Sequence, residues 1–145
     1  MATVKKFLDR IQKLDMHRVV KTTLGEKREL MPELNRDQMM HGKRADGSDI
    51  EPPYTYFTRL EKKKRGMDPN VVTLYDRGDF HRGIYVDIGS DSLEIDSMDS
   101  KSDSLKEKYG ESIFGLTNES KAEFLGEAFP VFRKKVESAL KLEMK

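Results

Sequence analysis

Apolar residues near the start of the chain recur every three or four positions, which is the spacing of one face of an α-helix. The stripe consists of Val4, Phe7, Leu8, Ile11, Leu14 and Val19. Thr3 suits an N-cap, and Gly25 suits the position just past a helix end, where the left-handed conformation favours glycine. The pattern therefore predicts one N-terminal helix over about residues 1–25, with helical backbone from 3 to 24.

Two further helices are predicted before the middle of the chain. The first covers 32–41, because Pro32 suits a first helical position and Gly42 suits the position after a helix end. The second covers 55–66. Its last turn holds the basic run KKKRG at 62–66, where cations complement the helix dipole.

The middle of the chain has the alternating pattern of β-strands. Residues 71–75, VVTLY, are a short β-branched run, and residues 83–97 have the pattern of a hairpin with its turn at 89–91. Between them lies DRGDFHRG, at 76–83, which is too short and polar for a core strand. This segment is predicted to be a tight helical turn.

The last third of the chain is helical again. Residues 105–109 are predicted to form a short helical piece, and Thr117 is predicted to be the N-cap of a longer helix. An apolar knob lies between them and consists of Ile113, Phe114 and Leu116. Apolar residues then follow at helical spacing over 122–142, and Pro130 is expected to kink or restart this helix because it lacks an N–H.

The resulting order, α-α-α-β-β-β-α-α, predicts an α+β fold: a small antiparallel sheet with a β-hairpin, packed against N-terminal and C-terminal helices. With 145 residues, no internal repeat and no long linker, the chain is expected to be a single domain, 1–145. Only 36% of residues are hydrophobic, 37% are charged, and none is Trp. A composition this polar favours a chain that completes its burial against other subunits.

Charge and cysteine content narrow the function classes. The net charge is +1, whereas tight sequence-independent DNA binding usually requires a strong basic excess. There is no cysteine, and so neither a disulfide framework nor a thiolate zinc site. The first 15 residues are not typical of a signal peptide, and no stretch approaches the roughly 20 apolar residues that span a bilayer. We therefore expect a protein of a cytosol-like compartment that does not enter a membrane.

Candidate catalytic residues are sparse. None of the three histidines has a partner at metal-ligand spacing, and no GxSxG motif surrounds a serine. Asp76, Asp79 and His81 are close enough in sequence to suggest a metal-dependent nuclease, but a surface or capping role is the expectation for His81. The sequence therefore predicts neither an enzyme nor a bound cofactor.

An acidic patch lies in and after the hairpin. Its members are Asp91, Asp96, Asp99 and Asp103. Carboxylates at such spacing could hold Mg²⁺ or Ca²⁺. The simpler interpretation is a solvated strand edge and loop, where charges block unwanted sheet pairing. No metal site is predicted on this basis.

The stretch GKRADGSDIEPPYT, at 42–55, has features of two ligand-binding loops. A phosphate-binding loop needs a glycine five residues before its Gly-Lys pair, where Asp37 lies, and a Ser or Thr after it, where Arg44 lies. Arg44 also occupies a ligand position of a calcium loop. The stretch is instead predicted to be a helix stop, a turn at Asp46-Gly47, an extended Pro52-Pro53 pair and a new cap at Thr55.

The order of these turns resembles that of a family of phage proteins. In sequence order, the segments that carry the resemblance are Gly42, Asp46-Gly47, Pro53-Tyr54-Thr55, KKKRG, Leu74 to Gly78 with Phe80, Ile84-Tyr85-Val86, and Tyr109-Gly110 to Phe114-Gly115. Over about 30–135 the chain is similar to the virion morphogenesis, or tail completion, proteins of tailed bacteriophages, including the Mu-like family. It departs from their pattern at Arg77 (Thr in the family), at Phe80 (Leu), and at 111–115, where the family's His is missing.

The resemblance implies a structural role without a reaction. Such proteins lie at the neck or the head-proximal end of the tail, commonly as rings that join the tail to the head connector. The implied partners are further copies of the chain and other neck, connector and tail proteins, in the virion and in the host cytoplasm during assembly. In a ring, neighbouring subunits meet through a head-to-tail interface. The predicted interface residues, taken as apolar residues in exposed chain, are Tyr54, Tyr56, Phe57, Ile113, Phe114 and Leu116.

Contact with passing DNA in a ring lumen would be weak, in keeping with the near-zero net charge. The residues predicted for it are Lys62, Lys63, Lys64 and Arg65. Two other functions stay open at this point: a small non-enzymatic interaction module from a host or a phage, and the nuclease with Asp76, Asp79 and His81. The aromatic residues of the interface set could also simply cover the sheet.

Overall fold

The structure is a computed structural model that describes residues 2–143. It does not describe the side chains of 2, 3, 7, 12, 13 and 141–143. The predicted N-cap Thr3, and Phe7 and Leu142 of the apolar stripes, therefore lie outside the described side chains.

The N-terminal segment forms two helices, and the prediction of one continuous helix is wrong. Helix α1 spans Ala2–Lys13, and helix α2 spans Met16–Glu26. The break occurs because the Asp15 carboxylate accepts a hydrogen bond from the main-chain N–H of Arg18 at 3.1 Å, which caps a new helix. Gly25 lies inside α2 rather than after it.

Helices α3 and α4 follow the predictions closely. Helix α3 spans Leu30–Met40 and is followed by Gly42 at a φ of 69°, a backbone conformation that favours glycine. Helix α4 spans Tyr56–Lys64, and the Thr55 hydroxyl accepts a hydrogen bond from the N–H of Thr58. The predicted N-cap at Thr55 is therefore confirmed.

The hairpin and the helical turn before it are also confirmed. Helix α5 spans Asp79–Arg82, strand β1 spans Ile84–Ile88, and strand β2 spans Leu93–Ser97. The strands are antiparallel, with Val86 opposite Ile95. In the described part of the chain they form the whole sheet.

The predicted strand at 71–75 is not formed. The segment has no regular secondary structure, with Leu74 at a φ of 57°, and its residues are buried or half-buried. At 73–75, side chains rather than a neighbouring strand bond its main chain. The Tyr54 hydroxyl accepts from the N–H groups of Thr73 and Leu74, at 3.2 and 2.9 Å. The carbonyls of Thr73 and Tyr75 accept from His81 and Lys62. Because these groups are already paired, the segment does not need a sheet partner.

The C-terminal third contains two helices and a short 3₁₀ turn. Helix α6 spans Ser102–Tyr109, the 3₁₀ turn spans Glu111–Ile113, and helix α7 spans Asn118–Glu143. The Thr117 hydroxyl accepts from the N–H of Ser120 at 3.1 Å, as expected of an N-cap. Helix α7 continues through Pro130 and does not restart there.

Two apolar clusters hold these elements together, and the α+β prediction is confirmed. One cluster lies under the 71–75 segment and includes Met39, Phe80 and Ile113. The other lies between α3, the hairpin and α7, and includes Met31 and Phe124. Further apolar residues complete the first cluster: Ile50, Val72, Leu74, Ile84, Tyr109 and Phe114. The hairpin thus packs between helices from both ends of the chain.

Two amide side chains of α3 bind the main chain of the segment before α7. Asn35 is fully buried; its Nδ2 donates to the carbonyl of Ile113, and its Oδ1 accepts from the N–H of Gly115, each at 3.0 Å. One turn later, Gln38 donates to the carbonyl of Gly115 and accepts from the N–H of Thr117, at 2.9 and 2.8 Å. We call these four bonds the amide clamp.

Replacing Asn35 tests the amide clamp. In Asn35→Ala, the half-buried N–H of Gly115 and the buried carbonyl of Ile113 lose their partners, so the free energy of unfolding should fall by about 2 kcal/mol. Urea unfolding followed by circular dichroism measures this. Asn70→Ala is the matched control, because Asn70 is exposed and bonds through its main chain. Equal stability of the two variants would contradict the clamp's role.

Candidate interaction surfaces

The 42–55 stretch is a loop that is held by hydrogen bonds between its own residues. The N–H of Ile50 donates to the carbonyl of Gly42 at 2.8 Å, and Lys43 and Asp49 form an antiparallel bridge. The Asp46 carboxylate accepts from the hydroxyl and the N–H of Ser48, and these bonds lower the pKa of Asp46. Since its Oδ1 atom accepts both bonds, Asp46 stabilises the turn that the sequence predicted at Asp46-Gly47.

This loop contacts the segment that leads into α7. The N–H of Ala45 donates to the carbonyl of Ser112 at 2.8 Å, and the Arg44 guanidinium donates to the carbonyl of Tyr109 at 3.0 Å. Gly115 has a φ of 120°, and a Cβ there would lie 2.9 Å from the Cβ of Ala45. A side chain at 115 would therefore push the two segments apart.

Tyr54 and Lys62 are anchors of the 71–75 segment. Tyr54 is partly buried, and its hydroxyl holds the main chain of that segment. Lys62 is only 6% exposed; its ammonium group lies 5.3 Å from the centre of the Tyr54 ring and donates to the carbonyl of Tyr75. Burial, with a smaller contribution from the nearby Arg65 charge, lowers the pKa of Lys62. The prediction that Lys62 is available to DNA is therefore corrected.

The other three basic residues of this run are exposed at the end of α4. Lys63 and Lys64 point to the surface, and the Arg65 guanidinium pairs with the Asp76 carboxylate at 2.9 Å. That hydrogen bond lowers the pKa of Asp76. Lys63 and Lys64 are thus accessible, while Arg65 is partly engaged.

The two lysine environments predict different mutational costs. Lys62→Ala leaves the carbonyl of Tyr75 without its donor, and the free energy of unfolding should fall by about 1–3 kcal/mol. Lys64→Ala, in the same helix but exposed, should change it by less than about 0.5 kcal/mol. Thermal or urea unfolding of both variants gives the comparison. A Lys62→Ala variant as stable as Lys64→Ala would show that Lys62 is not an anchor.

Four of the six predicted interface residues form an exposed pair and a buried pair, and Tyr54 and Leu116 are half-buried. Tyr56 and Phe57 are 63% and 80% exposed at the start of α4, with ring centres 5.7 Å apart in an edge-to-face arrangement. Leu60 extends this apolar surface by one turn. In contrast, Ile113 is fully buried and Phe114 nearly so.

The buried pair overturns part of the sequence interpretation. Ile113 and Phe114 were expected in exposed chain, but the amide clamp turns the segment inward and places both in the core. Leu116 is partly buried beside the second cluster. Of the six predicted residues, Tyr56 and Phe57 present the largest exposed apolar surface, and we refer to them with Leu60 as the α4 face.

The residues of the nuclease hypothesis are engaged separately. His81 is buried, so the surface alternative of the predicted surface or capping role is wrong. Its Nε2 lies 2.8 Å from the carbonyl of Thr73, which can only accept, so Nε2 carries the proton. Asp76 pairs with Arg65, and Asp79 pairs with Arg82. Among the described residues, no group of three or more metal-ligating side chains is found.

The acidic patch is partly used by the fold. Although burial raises the pKa of Asp96, hydrogen bonds from the Ser102 hydroxyl, the Ser97 N–H and the Lys106 ammonium outweigh it and lower that pKa. The same contact with Asp96 raises the pKa of Lys106. Asp96 therefore links β2 to α6.

Comparisons with protein-family models, curated proteins and solved structures found no significant match to this chain. Within 2–143, no helix has both the length and the apolar character needed to cross a membrane.

The burial of His81 predicts a pH dependence of stability. Burial lowers its pKa below the ordinary value of 6.5, and the bond to Thr73 only partly opposes this. Below pH 6.5 the unfolded chain binds a proton that the folded chain resists, so the free energy of unfolding should fall as the pH is lowered from 7.5 to 5. Urea unfolding at several pH values measures this slope.

His81→Gln is the control for this titration. The glutamine amide can still donate to the carbonyl of Thr73 but does not titrate. The free energy of unfolding of His81→Gln should therefore change less between pH 7.5 and 5 than that of the wild type. Parallel pH profiles for the two proteins would exclude His81 as the cause.

Proposed function

We propose that this protein is a structural component of a tailed-phage particle, a neck or tail-completion protein that forms a ring where the tail meets the head connector. The observation that carries the proposal is the packing of the two most distinctive segments of the family-like pattern. The loop at 42–55 and the Tyr109–Gly115 segment, far apart in sequence, are hydrogen-bonded to each other. The shared turns therefore belong to one structural unit.

The α4 face supports the ring part of the proposal. Adjacent aromatic residues that are more than half exposed are enriched in protein interfaces, where they contribute much of the binding energy. Tyr56 and Phe57 have that character and lie at the capped start of a helix. In a ring this face would meet a different surface of the neighbouring copy.

The basic end of α4 supports at most a weak contact with DNA. Lys63 and Lys64 are exposed, whereas Lys62 is buried and anchors the 71–75 segment. A channel through which DNA must pass should not hold it tightly, and the net charge of +1 is compatible with that.

The ring and its interface can be tested together. Native mass spectrometry of the purified protein should show one defined multiple of the 16.8 kDa chain, and Phe57→Ser should shift the population toward monomer by at least about tenfold, as expected of an interface hot spot. Phe129→Ser is the matched control, since Phe129 is an exposed phenylalanine on α7. Dissociation by Phe129→Ser alone would place the interface elsewhere.

Purified phage particles test whether the protein is a component of the virion. Purified phage particles from the genome that encodes this chain should contain it in ring-like copy number, and electron microscopy should place it between head and tail. The proposal would be contradicted if the protein were strictly monomeric and absent from such particles. That outcome would favour the second candidate, a small interaction module without enzymatic activity.

A further inference from the structure

The two edges of the hairpin are chemically different. In an antiparallel pair, alternate residues direct their N–H and carbonyl groups toward the partner strand or away from it. The bonds from Gly89 N–H to the carbonyl of Ser92 and from Met98 N–H to the carbonyl of Gly83 fix this alternation. Leu93 and Ile95 of β2 consequently direct their main-chain groups away from β1.

The outer edge of β1 is covered by arginines. The Arg28 guanidinium donates to the carbonyl of Val86 at 3.2 Å, and the Arg36 guanidinium donates to the carbonyl of Ile84 at 3.1 Å. These are two of the three carbonyls of β1 that the alternation turns outward, the third being that of Ile88. Positive side chains on an edge block the addition of another strand.

The outer edge of β2 lacks such cover. Within the described part of the chain, no hydrogen bond reaches the main chain of Leu93 or Ile95 from the side opposite β1. This edge borders a groove of about 720 Å³. The apolar residues that line the groove are Leu24, Met31, Phe114, Leu116, Phe124 and Leu125.

The solvent face of the hairpin carries three carboxylates, Asp87, Glu94 and Asp96, of which Asp96 is paired with Lys106 at 3.0 Å. Asp87 and Glu94 lie directly opposite each other on the two strands, and neither forms an ion pair among the described residues. Like charges directly opposite each other destabilise a sheet. A cation from a third strand beside Glu94 would remove this repulsion.

The acidic residues of β2 itself disfavour a second copy of β2 as the occupant, although Lys106 pairs with one of them, Asp96. If two copies of β2 paired antiparallel about Ile95, Glu94 of one copy would lie opposite Asp96 of the other. A strand with basic residues at those positions avoids that repulsion and gains attraction.

We propose that the free edge of β2 binds an extended segment of another protein, in which apolar residues alternate with Lys or Arg. Its main chain pairs with the outward N–H and carbonyl groups of Leu93 and Ile95, adding a third strand to the sheet. Its apolar side chains enter the groove, and its basic side chains face Glu94. This surface does not depend on ring formation through the α4 face.

A synthetic peptide tests the edge directly. The probes are two hexapeptides, one alternating valine with lysine and one alternating valine with glutamate. In spectra of ¹⁵N-labelled full-length protein, the lysine peptide should shift the amide signals of Leu93 and Ile95 and slow their hydrogen exchange. The glutamate peptide should do neither.

Three variants separate pairing from general charge attraction. Glu94→Lys should weaken binding of the lysine peptide about twofold to fivefold. Glu137→Lys makes the same charge change on α7, away from the edge, and should leave binding unchanged. Leu93→Pro removes an outward N–H at the first residue of the strand, where proline is tolerated, and should also weaken binding.

Three results would overturn the proposal. They are shifts confined to residues outside β2 and the groove, equal binding of both peptides, and equal weakening by Glu94→Lys and Glu137→Lys. A fourth result would identify a second copy of this chain as the occupant instead. That result is concentration-dependent self-association of the protein that Leu93→Pro abolishes. The charge variants keep the test decisive even if Leu93→Pro fails to fold.

Discussion

The fold depends on the amide clamp, because it joins segments that no ladder or helix connects. Asn35 and Gln38 are separated by nearly one helical turn, so their side chains leave the same face of α3. Together they satisfy main-chain groups from Ile113 to Thr117. Without them, a buried irregular segment would carry unpaired polar groups, which is costly in a core.

Several features follow from that constraint. Once Ile113 and Phe114 are turned inward, they complete the cluster under the 71–75 segment. Thr117 is then placed where it caps α7, and Gly115 is placed against Ala45. The amide clamp thus fixes both the start of α7 and the place where the 42–55 loop packs.

Local features of the structure were predictable from sequence, and long-range ones were not. The cap at Thr55, the stop at Gly42 and the hairpin depend on neighbouring residues and on periodicity, and all three are present. The break at Asp15 was missed because an unbroken apolar stripe outweighed a local capping signal. The stripe does not distinguish one helix from two.

The errors around the candidate surfaces share one physical cause. Lys62, His81 and Ile113 were assigned by residue type and by their polar or turn-like neighbours. Their burial depends on residues between 8 and 78 positions away, with which they form hydrogen bonds. Residues 71–75 have the composition of a strand, yet bond to side chains. Among the residues that the structure describes, Tyr56 and Phe57 have no such long-range bond, and both are exposed as expected.

The anchoring of 71–75 also bears on aggregation. VVTLY is uncharged, β-branched and free of proline, which is the composition of segments that stack into intermolecular sheets when exposed. Here a phenol, an imidazole and an ammonium group occupy its main-chain groups, so the segment is withheld from other chains without being part of a sheet. These three side chains protect the segment from aggregation by bonding its main chain directly, whereas the usual protection is a charged residue beside such a segment.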